Sequence, residues 1–273
     1  MRGPGNLTRG WLLAGVLSLA VLLGIGIWVL SRTLPEAMDP TWERILETGV
    51  LPVCTDPSWP PFEFIDERTS RIEGYDVDLA RLLAGRLAPG VEVQARIVPV
   101  GFDGLYDALL AGRCDAVLSA LPYEAMRTQD VVYSVAYFNA GLVVLAREDT
   151  VGIELVDDLA DRVVGVEWGF VPAGDTRQKE FLRNLAVRRY DTAEDTLRAL
   201  HAGEVEAAIV DQISALAYTA ECEGLQFVDE PIHDVNYVIP VRPDSFRLLG
   251  EINRVLLEMR EDGTLDALQE RWF

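Results

Sequence analysis

The sequence predicts an α/β protein built from two similar lobes that follow an apolar N-terminal segment. Three observations lead to this prediction: strand-like and helix-like segments alternate after residue 41, one nine-residue pattern occurs twice, and a 20-residue run near the start has no charged side chain. Alternation of strands and helices indicates a largely parallel sheet with helices on both faces. A chain of 273 residues can form one large domain or two modest ones.

The first half of the chain has the element order of a β-α-β-α-β unit preceded by a short helix. Asp39 and Pro40 are typical of a helix N-cap and first helical residue, and Gly49 is typical of the helix end. Asp76 is predicted to cap the next helix, whose apolar residues recur at helical spacing. The predicted elements are a helix over 40–48, a strand over 50–54, a helix over 76–87, a strand over 91–97, a helix over 103–112 and a strand over 115–121.

A nine-residue pattern from this unit recurs later in the chain. Residues 108–116 read Ala-Leu-Leu-Ala-Gly-Arg-Cys-Asp-Ala, and residues 199–207 read Ala-Leu-His-Ala-Gly-Glu-Val-Glu-Ala. Both predict a helix end, a glycine stop, an acidic residue and a buried strand, which indicates a second lobe of like construction. Further strands over 163–167, 187–190 and 225–228 and a helix over 175–184 complete that lobe.

The ends of the predicted strands indicate where a ligand would bind. Ligands of open α/β sheets lie beyond the carboxyl ends of the strands. Those ends are Ser119 and Ala120 in the first lobe and Val210 and Asp211 in the second. A ligand held between the lobes would therefore meet both.

The N-terminal segment, residues 1–38, predicts export. Its uncharged run over 11–30 is long enough to cross a membrane as a helix, and Arg2 and Arg9 before it favour a cytoplasmic N-terminus. An uncleaved transmembrane anchor is favoured over a cleaved signal peptide, because signal sequences have shorter apolar runs and no small-residue cleavage site is clear. Both alternatives place the rest of the chain outside the cytoplasm, in the periplasm or at the cell surface.

Composition excludes several classes of function. Lys and Arg total 24 against 44 Asp and Glu, and the formal net charge of -20 argues against nucleic-acid binding. The three cysteines have no metal-ligand spacing, so we expect no metal and no cofactor. At most one disulfide can form, and the spacing does not select it. Cys54 and Cys114 lie in apolar runs and are interpreted as core residues.

Five motifs after Thr41 occur in the order of a known family. They are 55–63 (Thr-Asp-Pro-Ser-Trp-Pro-Pro-Phe-Glu) with 74–80 (Gly-Tyr-Asp-Val-Asp-Leu-Ala), 102–105 (Phe-Asp-Gly-Leu) with 112–116 and Arg127, 163–169, 205–211, and 262–265 with the closing Trp-Phe. In this order they resemble the family 3 extracellular solute-binding proteins, the amino-acid receptors of ABC importers. The resemblance implies a two-lobed, periplasmic-binding-protein-like (type II) fold, with lobe one over 42–141 plus 236–273 and lobe two over 142–235. The chain would cross between the lobes near 141–146 and near 237–241.

The resemblance also implies roles for individual side chains. Arg127 stands at the position that clamps the ligand carboxylate, and Asp211 at the position that receives the ammonium. Trp59 and Phe102 match the aromatic positions that enclose the ligand side chain, where a cation gains about 0.5–2 kcal/mol from a ring face. Asp56 matches a position that contacts a basic side chain in some members. Judged without the resemblance, Asp211 is also typical of a helix N-cap before Gln212.

Two departures from the family pattern alter the expected ligand. Pro122 and Glu124 replace the donors that complete the carboxylate clamp, and Phe170 follows Gly169 where small hydroxyl residues are usual. The ammonium end of the site is therefore intact and the carboxylate end depleted. We expect a ligand rich in positive charge, an arginine-like amino acid or an amine. The predicted site comprises Asp56, Trp59, Phe102, Ser119, Ala120, Glu124, Arg127, Phe170 and Asp211.

The predicted function is that of a receptor which closes around its ligand and presents it to an ABC permease. Two alternatives remain. A dehydratase-like enzyme on the same fold would need a positioned acid, for which Glu124 or Glu167 are candidates. A membrane-tethered sensor would need a signalling domain, and about ten residues precede the apolar run. The sequence has no pattern typical of a nucleophile elbow, a phosphate loop or a catalytic triad, so we expect no catalytic residues.

Overall fold

Two five-stranded sheets form the frame of the chain. The computed structural model describes residues 39–168, 180 and 182–273. The helices are α1 (Pro40–Thr48), α2 (Tyr75–Leu87), α3 (Leu105–Leu110), α4 (Ala193–His201), α5 (Gln212–Glu221), α6 (Phe246–Glu261) and α7 (Thr264–Trp272). Short 3-10 helices cover Phe102–Gly104, Ala125–Arg127 and Val156–Leu159.

The first sheet has the strand order β5-β1-β6-β15-β7. The second strand in this order, β1, runs parallel to both β5 and β6, whereas β15 runs antiparallel to β6 and β7. A small antiparallel sheet, β2-β3-β4, follows β1 in the chain. These strands are β1 (Val50–Thr55), β2 (Ser58–Trp59), β3 (Glu63–Ile65), β4 (Ile72–Glu73), β5 (Gln94–Pro99), β6 (Ala116–Val117), β7 (Val132–Tyr133) and β15 (Pro240–Val241).

The second sheet has the order β11-β10-β12-β9-β13. The second strand in this order, β10, is again parallel to both neighbours, β11 and β12. The next two strands, β9 and β13, are again each antiparallel to the strand before them in the order. The two sheets therefore share one sequence of strand orientations, which confirms the predicted likeness of the two lobes. These strands are β9 (Leu142–Arg147), β10 (Val163–Glu167), β11 (Ala186–Tyr190), β12 (Ala207–Asp211) and β13 (Leu225–His233).

The repeated nine-residue pattern occupies equivalent places in the two sheets. In each copy a helix ends at a glycine with positive φ, 71° at Gly112 and 75° at Gly203, which is a conformation that favours glycine. The acidic residue of each copy then donates its N–H to a central strand, Asp115 to the Pro52 carbonyl and Glu206 to the Val163 carbonyl, both at 2.9 Å. The pattern thus encodes the same helix-to-strand turn twice.

The C-terminal helices pack on the first sheet. Leu248 and Ile252 of α6 and Leu265 of α7 lie in the same buried cluster as Leu51 of β1 and Leu79 of α2. The chain therefore returns to its first sheet after completing the second. Separate buried clusters cover the two faces of the second sheet.

An aromatic cluster joins the two chain segments of the first lobe. The ring of Phe62 meets Tyr75, Phe138, Tyr237 and Phe273 edge-on, with ring centroids 5.0–5.7 Å apart. Such edge-to-face pairs contribute about 0.5–1.5 kcal/mol each beyond their buried area. The cluster fixes the segment just before β3, which carries residues of the site described below.

The predicted N-cap role of Asp76 is wrong. Helix α2 begins after Gly74, whose φ is 138°, and no side chain caps it. A Cβ at Gly74 would lie 2.1 Å from the Phe62 carbonyl oxygen, so glycine is required for this approach. The turn carries Asp76 into the interior, where its side chain is 1% exposed.

Other predicted elements differ in extent from those observed. The strand predicted over 91–97 is observed as Gln94–Pro99, and the strand predicted over 115–121 is observed as Ala116–Val117. Helix α3 ends at Leu110, two residues before the predicted end. Of the helix predicted over 175–184, residues 175–179 and 181 lie outside the described residues, and residues 180, 182 and 183 are helical.

A two-stranded ladder connects the sheets. Strands β8 (Phe138–Asn139) and β14 (Asn236–Tyr237) pair antiparallel. The Asn139 side-chain oxygen accepts N–H bonds from Gly141 at 2.9 Å and Val235 at 3.1 Å, and its amide donates to Asp234 at 2.7 Å. One side chain therefore holds both segments of the connection, which we call the hinge ladder.

Close backbone contact at the hinge ladder requires a glycine. A Cβ added to Gly141 would lie 1.6 Å from the carbonyl oxygen of His233. No side chain fits in that space unless the two connecting segments move apart.

A disulfide links Cys54 of β1 to Cys114, 60 residues later and just before β6. Both cysteines are fully buried, as the apolar runs around them predict. The structure thus selects one of the pairings that the sequence leaves open, and it leaves Cys222 free.

The predicted transmembrane helix over 11–30 lies outside the described residues. Within residues 39–168, 180 and 182–273, no helix combines the length and the apolar character needed to cross a bilayer.

The disulfide gives a first stability prediction. We expect replacing both Cys54 and Cys114 by Ala to lower the free energy of unfolding by about 4 kcal/mol, because the unfolded chain regains the entropy of a long closed loop. Urea denaturation monitored by circular dichroism measures the change. Cys222→Ala is the matched control and should leave the midpoint unchanged; equal midpoints for all three proteins would contradict the prediction.

The hinge ladder gives a second prediction. We expect Gly141→Ala to lower the free energy of unfolding by about 1–3 kcal/mol, the usual cost of overpacking, because the new methyl group meets the His233 carbonyl. Gly250 lies inside α6 with no atom within 4 Å of an added Cβ. Gly250→Ala should therefore raise stability or leave it unchanged. Thermal unfolding compares the two variants, and similar melting temperatures would refute the steric argument.

Candidate functional site

A cavity of about 330 Å³ opens at the carboxyl ends of β1 and β6. This is the place that the strand order predicts for a ligand. Two of its lining residues are acids and three are aromatic. Its lining residues are Asp56, Ser58, Trp59, Glu63, Phe102, Ser119, Ala120 and Tyr237.

Asp56 organises one wall of the cavity. It follows β1 directly, and its side-chain oxygen Oδ2 accepts the backbone N–H of Phe102 at 3.0 Å. Its own N–H donates to the Ser119 hydroxyl at 2.9 Å. The loops after β1, β5 and β6 are thereby joined around one acidic residue, which retains a carboxylate oxygen for a ligand.

Two aromatic rings stand at the cavity with much of their surface open. Trp59 is 56% exposed and Phe102 is 54% exposed, which is unusual for rings of this size. Because the faces of such rings attract cations, their position beside Asp56 favours a ligand with positive charge.

Glu63 forms the floor of the cavity and was missed by the sequence analysis as a site residue. Its side chain is 1% exposed and accepts a hydrogen bond from the Ser119 hydroxyl at 2.9 Å. Burial raises the pKa of the Glu63 carboxyl far above its ordinary value, and the nearby Asp76 raises it further. Glu63 therefore carries its proton at neutral pH.

Asp76 lies directly behind the floor. Its Oδ2 accepts the backbone N–H of Ala120 at 2.7 Å and the Tyr137 hydroxyl at 2.9 Å. Burial raises the pKa of Asp76, while these two donors and Glu63 act in the opposite direction. Ala120 has a φ of 45°, an uncommon conformation for a residue with a side chain, and this bond holds it in place.

The hydroxyl of Tyr237, which lines the cavity, interacts electrostatically with Asp211 at the end of β12 in the second sheet. Burial raises the pKa of the Tyr237 hydroxyl to about 12, and the charges of Asp76, Glu63 and Asp211 contribute. Asp211 therefore lies within electrostatic range of a cavity-lining residue. Its side chain also caps α5 by accepting the N–H of Ser214 at 2.9 Å, which is the N-cap role that the sequence allowed.

Arg127 and Glu124 lie apart from the cavity lining. Arg127 Nε is 4.0 Å from Glu124 Oε2, and its guanidinium lies 4.8 Å from the centre of the Tyr106 ring. The Tyr106 hydroxyl donates to Glu124 at 3.3 Å and contacts the Tyr133 hydroxyl at 3.1 Å. Glu124 thus offsets the positive charge of Arg127, the residue that the resemblance assigns to the ligand carboxylate.

The structure brings five of the predicted site residues together at the cavity. They are Asp56, Trp59, Phe102, Ser119 and Ala120. Arg127 and Glu124 form the separate cluster just described, Asp211 lies at the start of α5, and Phe170 lies outside the described residues. Across the described residues, no group of three or more His, Cys, Asp or Glu side chains is placed to hold a metal ion.

Three lining residues were not predicted as site residues: Ser58, Glu63 and Tyr237. Glu63 had a usable signal, because it is an acid within the apolar run Pro-Pro-Phe-Glu-Phe and occupies the inward side of a short strand. Tyr237 had none, because it reaches the cavity from a segment more than a hundred residues away in the chain.

Comparison with known proteins identifies the relatives of this chain. The L-cystine-binding protein TcyJ of Escherichia coli (strain K12) is 28% identical over 267 residues, covering 96% of this chain and 94% of the relative. The arginine-binding extracellular protein ArtP of Bacillus subtilis (strain 168) is 30% identical over 224 residues, covering 80% of this chain and 84% of the relative. A solved structure of an ancestral cationic amino acid solute-binding protein is 31% identical with a TM-score of 0.58, covering 85% of this chain and 99% of that one.

Residues 51–273 match the family described as bacterial extracellular solute-binding proteins, family 3. The match extends over most of the chain and includes both sheets and the cavity between the strand ends of the first. It confirms the resemblance seen in the motifs and the two-lobed α/β fold that the resemblance implies. The chain belongs to the bacterial extracellular solute-binding proteins, family 3.

Proposed function

We propose that this chain binds a cationic amino acid or a related amine and delivers it to an ABC permease. The observation that supports this most strongly is the composition of the cavity. Two open aromatic rings, Trp59 and Phe102, stand beside the carboxylate of Asp56, with Glu63 on the floor. Aromatic faces and carboxylates both favour a positive group and disfavour a negative one.

The position of Arg127 supports the same ligand class. A free guanidinium at the cavity would favour anionic ligands, but Glu124 lies beside this one. A ligand carboxylate must therefore compete with Glu124 for Arg127. That competition weakens the binding of acidic amino acids more than that of ligands with a net positive charge.

Closure of two lobes completes the proposed site. Lobe one would comprise 42–141 plus 236–273 and lobe two 142–235, connected through the hinge ladder. The cavity is lined by residues of the proposed lobe one. In the closed form Asp211 would approach the ligand from lobe two, and the ligand would favour closure because only then do both lobes contact it.

The named relatives bind amino acids of two kinds. ArtP is named for arginine, and the ancestral structure for cationic amino acids. TcyJ is named for L-cystine and covers more of this chain, so cystine is the second candidate ligand. Cystine has two ammonium groups but no net charge, whereas arginine places a guanidinium between the rings.

We further propose that the protein binds its ligand without converting it. The named relatives are binding proteins. An enzyme would need an acid at the ligand, and Glu124, one of the two candidates, is engaged with Arg127 and Tyr106. Bound ligand recovered from the protein and analysed by mass spectrometry should be chemically unchanged; a new product would support the dehydratase alternative.

Thermal unfolding of the full chain in detergent tests the ligand class. We expect L-arginine to raise the melting temperature, since a ligand at a hundred times its Kd stabilises by about 2.7 kcal/mol. L-glutamate should give no shift. A shift with L-cystine and none with arginine would favour the second candidate, and a shift with glutamate alone would refute the cationic proposal.

Asp56→Asn tests the proposed cation contact. The amide oxygen can still accept the Phe102 N–H, so the loop is retained while the charge is lost. We expect arginine affinity, measured by calorimetry, to fall about tenfold, the equivalent of about 1.4 kcal/mol for a charged hydrogen bond. Asp103→Asn removes an exposed charge one residue from Phe102 and is the matched control. Equal affinities for the two variants would contradict a direct contact.

We also propose that residues 1–38 export the chain and anchor it to the outer face of the membrane. The uncharged run over 11–30 and the two preceding arginines support this. We expect the mature protein to remain in the membrane fraction after alkaline carbonate extraction, with its N-terminal segment intact by mass spectrometry. A soluble protein shortened by about 30 residues would instead identify a cleaved signal peptide.

A further inference from the structure

We propose that Glu63 and Asp76 share one proton at the cavity floor and that this pair positions the Ser119 hydroxyl so that it presents only an acceptor lone pair to the ligand. The part that concerns the ligand rests on the proposed function, whereas the shared proton does not. The pair acts on the predicted ligand contacts indirectly, through hydrogen bonds.

Geometry supports the shared proton. The two side chains contact each other, and both are 1% exposed. Glu63 Oε2 and Asp76 Oδ1 are buried, and neither oxygen has a hydrogen-bond partner within the described part of the chain. Two buried carboxylates in contact cannot both ionise at neutral pH, and a single proton between these oxygens satisfies both.

The donors around the pair place the charge on Asp76. Its Oδ2 already accepts two hydrogen bonds, from Ala120 and Tyr137. Bonds of this kind stabilise the ionised form. Glu63 accepts one bond, from Ser119, on Oε1. Glu63 is therefore the neutral partner, and its Oε2–H donates to Asp76.

The consequence for Ser119 follows from counting its hydrogen bonds. A hydroxyl group has one proton to donate and two lone pairs. The Ser119 proton is donated to Glu63, and one lone pair accepts the Asp56 N–H. The remaining lone pair can only accept, so the group that meets it must be a donor. An ammonium or guanidinium fits there and a carboxylate does not.

Other ionisable groups around the pair are also acids. Asp56 acts on Glu63, and the hydroxyls of Tyr75, Tyr137 and Tyr237 each interact with Asp76. Asp211 acts on Tyr237, and both Asp266 and the cation Arg260 act on Tyr75. Among the described residues, hydrogen-bond donors and not an ion-paired cation balance the negative charge of Asp76.

The shared proton has a consequence for stability. Burial raises the pKa of Glu63, so the folded protein keeps a proton that the unfolded chain loses above the ordinary range of a carboxyl group near pH 4. Unfolding therefore releases one proton at neutral pH. The contribution of this group to stability is full below that range and declines steadily as the pH rises.

Glu63→Gln isolates this effect. The amide can reproduce both bonds, with its oxygen accepting from Ser119 and its NH₂ donating to Asp76, and it has no proton to lose. Glu67→Gln is the matched control, because Glu67 is an exposed acid four residues away on the same segment.

The first measurement is urea denaturation of the full chain in detergent between pH 6.5 and 8.5. For each pH unit, we expect the unfolding equilibrium constant of the parent protein and of Glu67→Gln to rise by a factor about ten times larger than that of Glu63→Gln. This difference is the effect of the one proton released on unfolding. Equal pH slopes for all three proteins would overturn the shared proton. This result does not depend on the identity of the ligand.

The second measurement is calorimetric titration with L-arginine. The arginine affinity of Glu63→Gln should stay within about threefold of that of the parent. Glu63→Leu frees the Ser119 proton, so its affinity should fall at least about tenfold. That loss is more than a single neutral hydrogen bond contributes at its lower limit. Equal affinities for Glu63→Leu and the parent would overturn the positioning role. If the parent itself binds no arginine, the proposed ligand class fails while the pH slopes still decide the shared proton. If Glu63→Leu does not fold, weak binding by Glu63→Gln at unchanged stability would overturn the positioning role in its place.

Discussion

The binding surface of the first lobe depends on the two hydrogen bonds of the Ser119 hydroxyl. They join the end of β1 to the loop after β6 through the Asp56 N–H, and both to β3 through Glu63. Asp56 in turn holds the Phe102 loop through its carboxylate. One hydroxyl therefore connects three segments that are far apart in sequence. Because its partners are buried or partly buried, losing it would leave polar groups unsatisfied at a cost of about 1–3 kcal/mol each.

The cavity is lined by acidic side chains, and the chain as a whole is also acidic. The formal net charge is -20, so a cationic solute is attracted from a distance and an anionic one is repelled. Screening by salt weakens that long-range attraction but has little effect within the partly enclosed cavity. Under the proposed function, long-range attraction would affect how fast a cation arrives, and contacts with Asp56, Trp59 and Phe102 would determine how long it stays.

Local sequence patterns predicted the repeated unit well because each copy is closed by short-range interactions. A helix end, a positive-φ glycine and one local backbone bond, from the Arg113 N–H to the Ala108 carbonyl and from the Glu204 N–H to the Ala199 carbonyl, complete the turn in the two copies. The site was predicted less completely because its partners are distant. Asp76 has the local signature of an N-cap, yet its side chain bonds to Ala120, 44 residues later, and no local pattern encodes that pairing. Arg127 belongs to a motif of the family, but the motif carries no information on its contact with Tyr106.

Asp76 links the cavity floor to the hinge ladder through a single carboxylate oxygen. That oxygen accepts the Ala120 N–H on one side and the Tyr137 hydroxyl on the other. Tyr137 also donates its N–H to the Tyr237 carbonyl at 3.0 Å, immediately before β8. Because this carboxylate is buried, water cannot replace either partner, and the floor cannot deform without breaking a bond to the hinge segment. In the proposed closure the cavity floor would therefore act as a rigid template, and motion would occur beyond Asn139, where one side-chain amide holds both connecting strands.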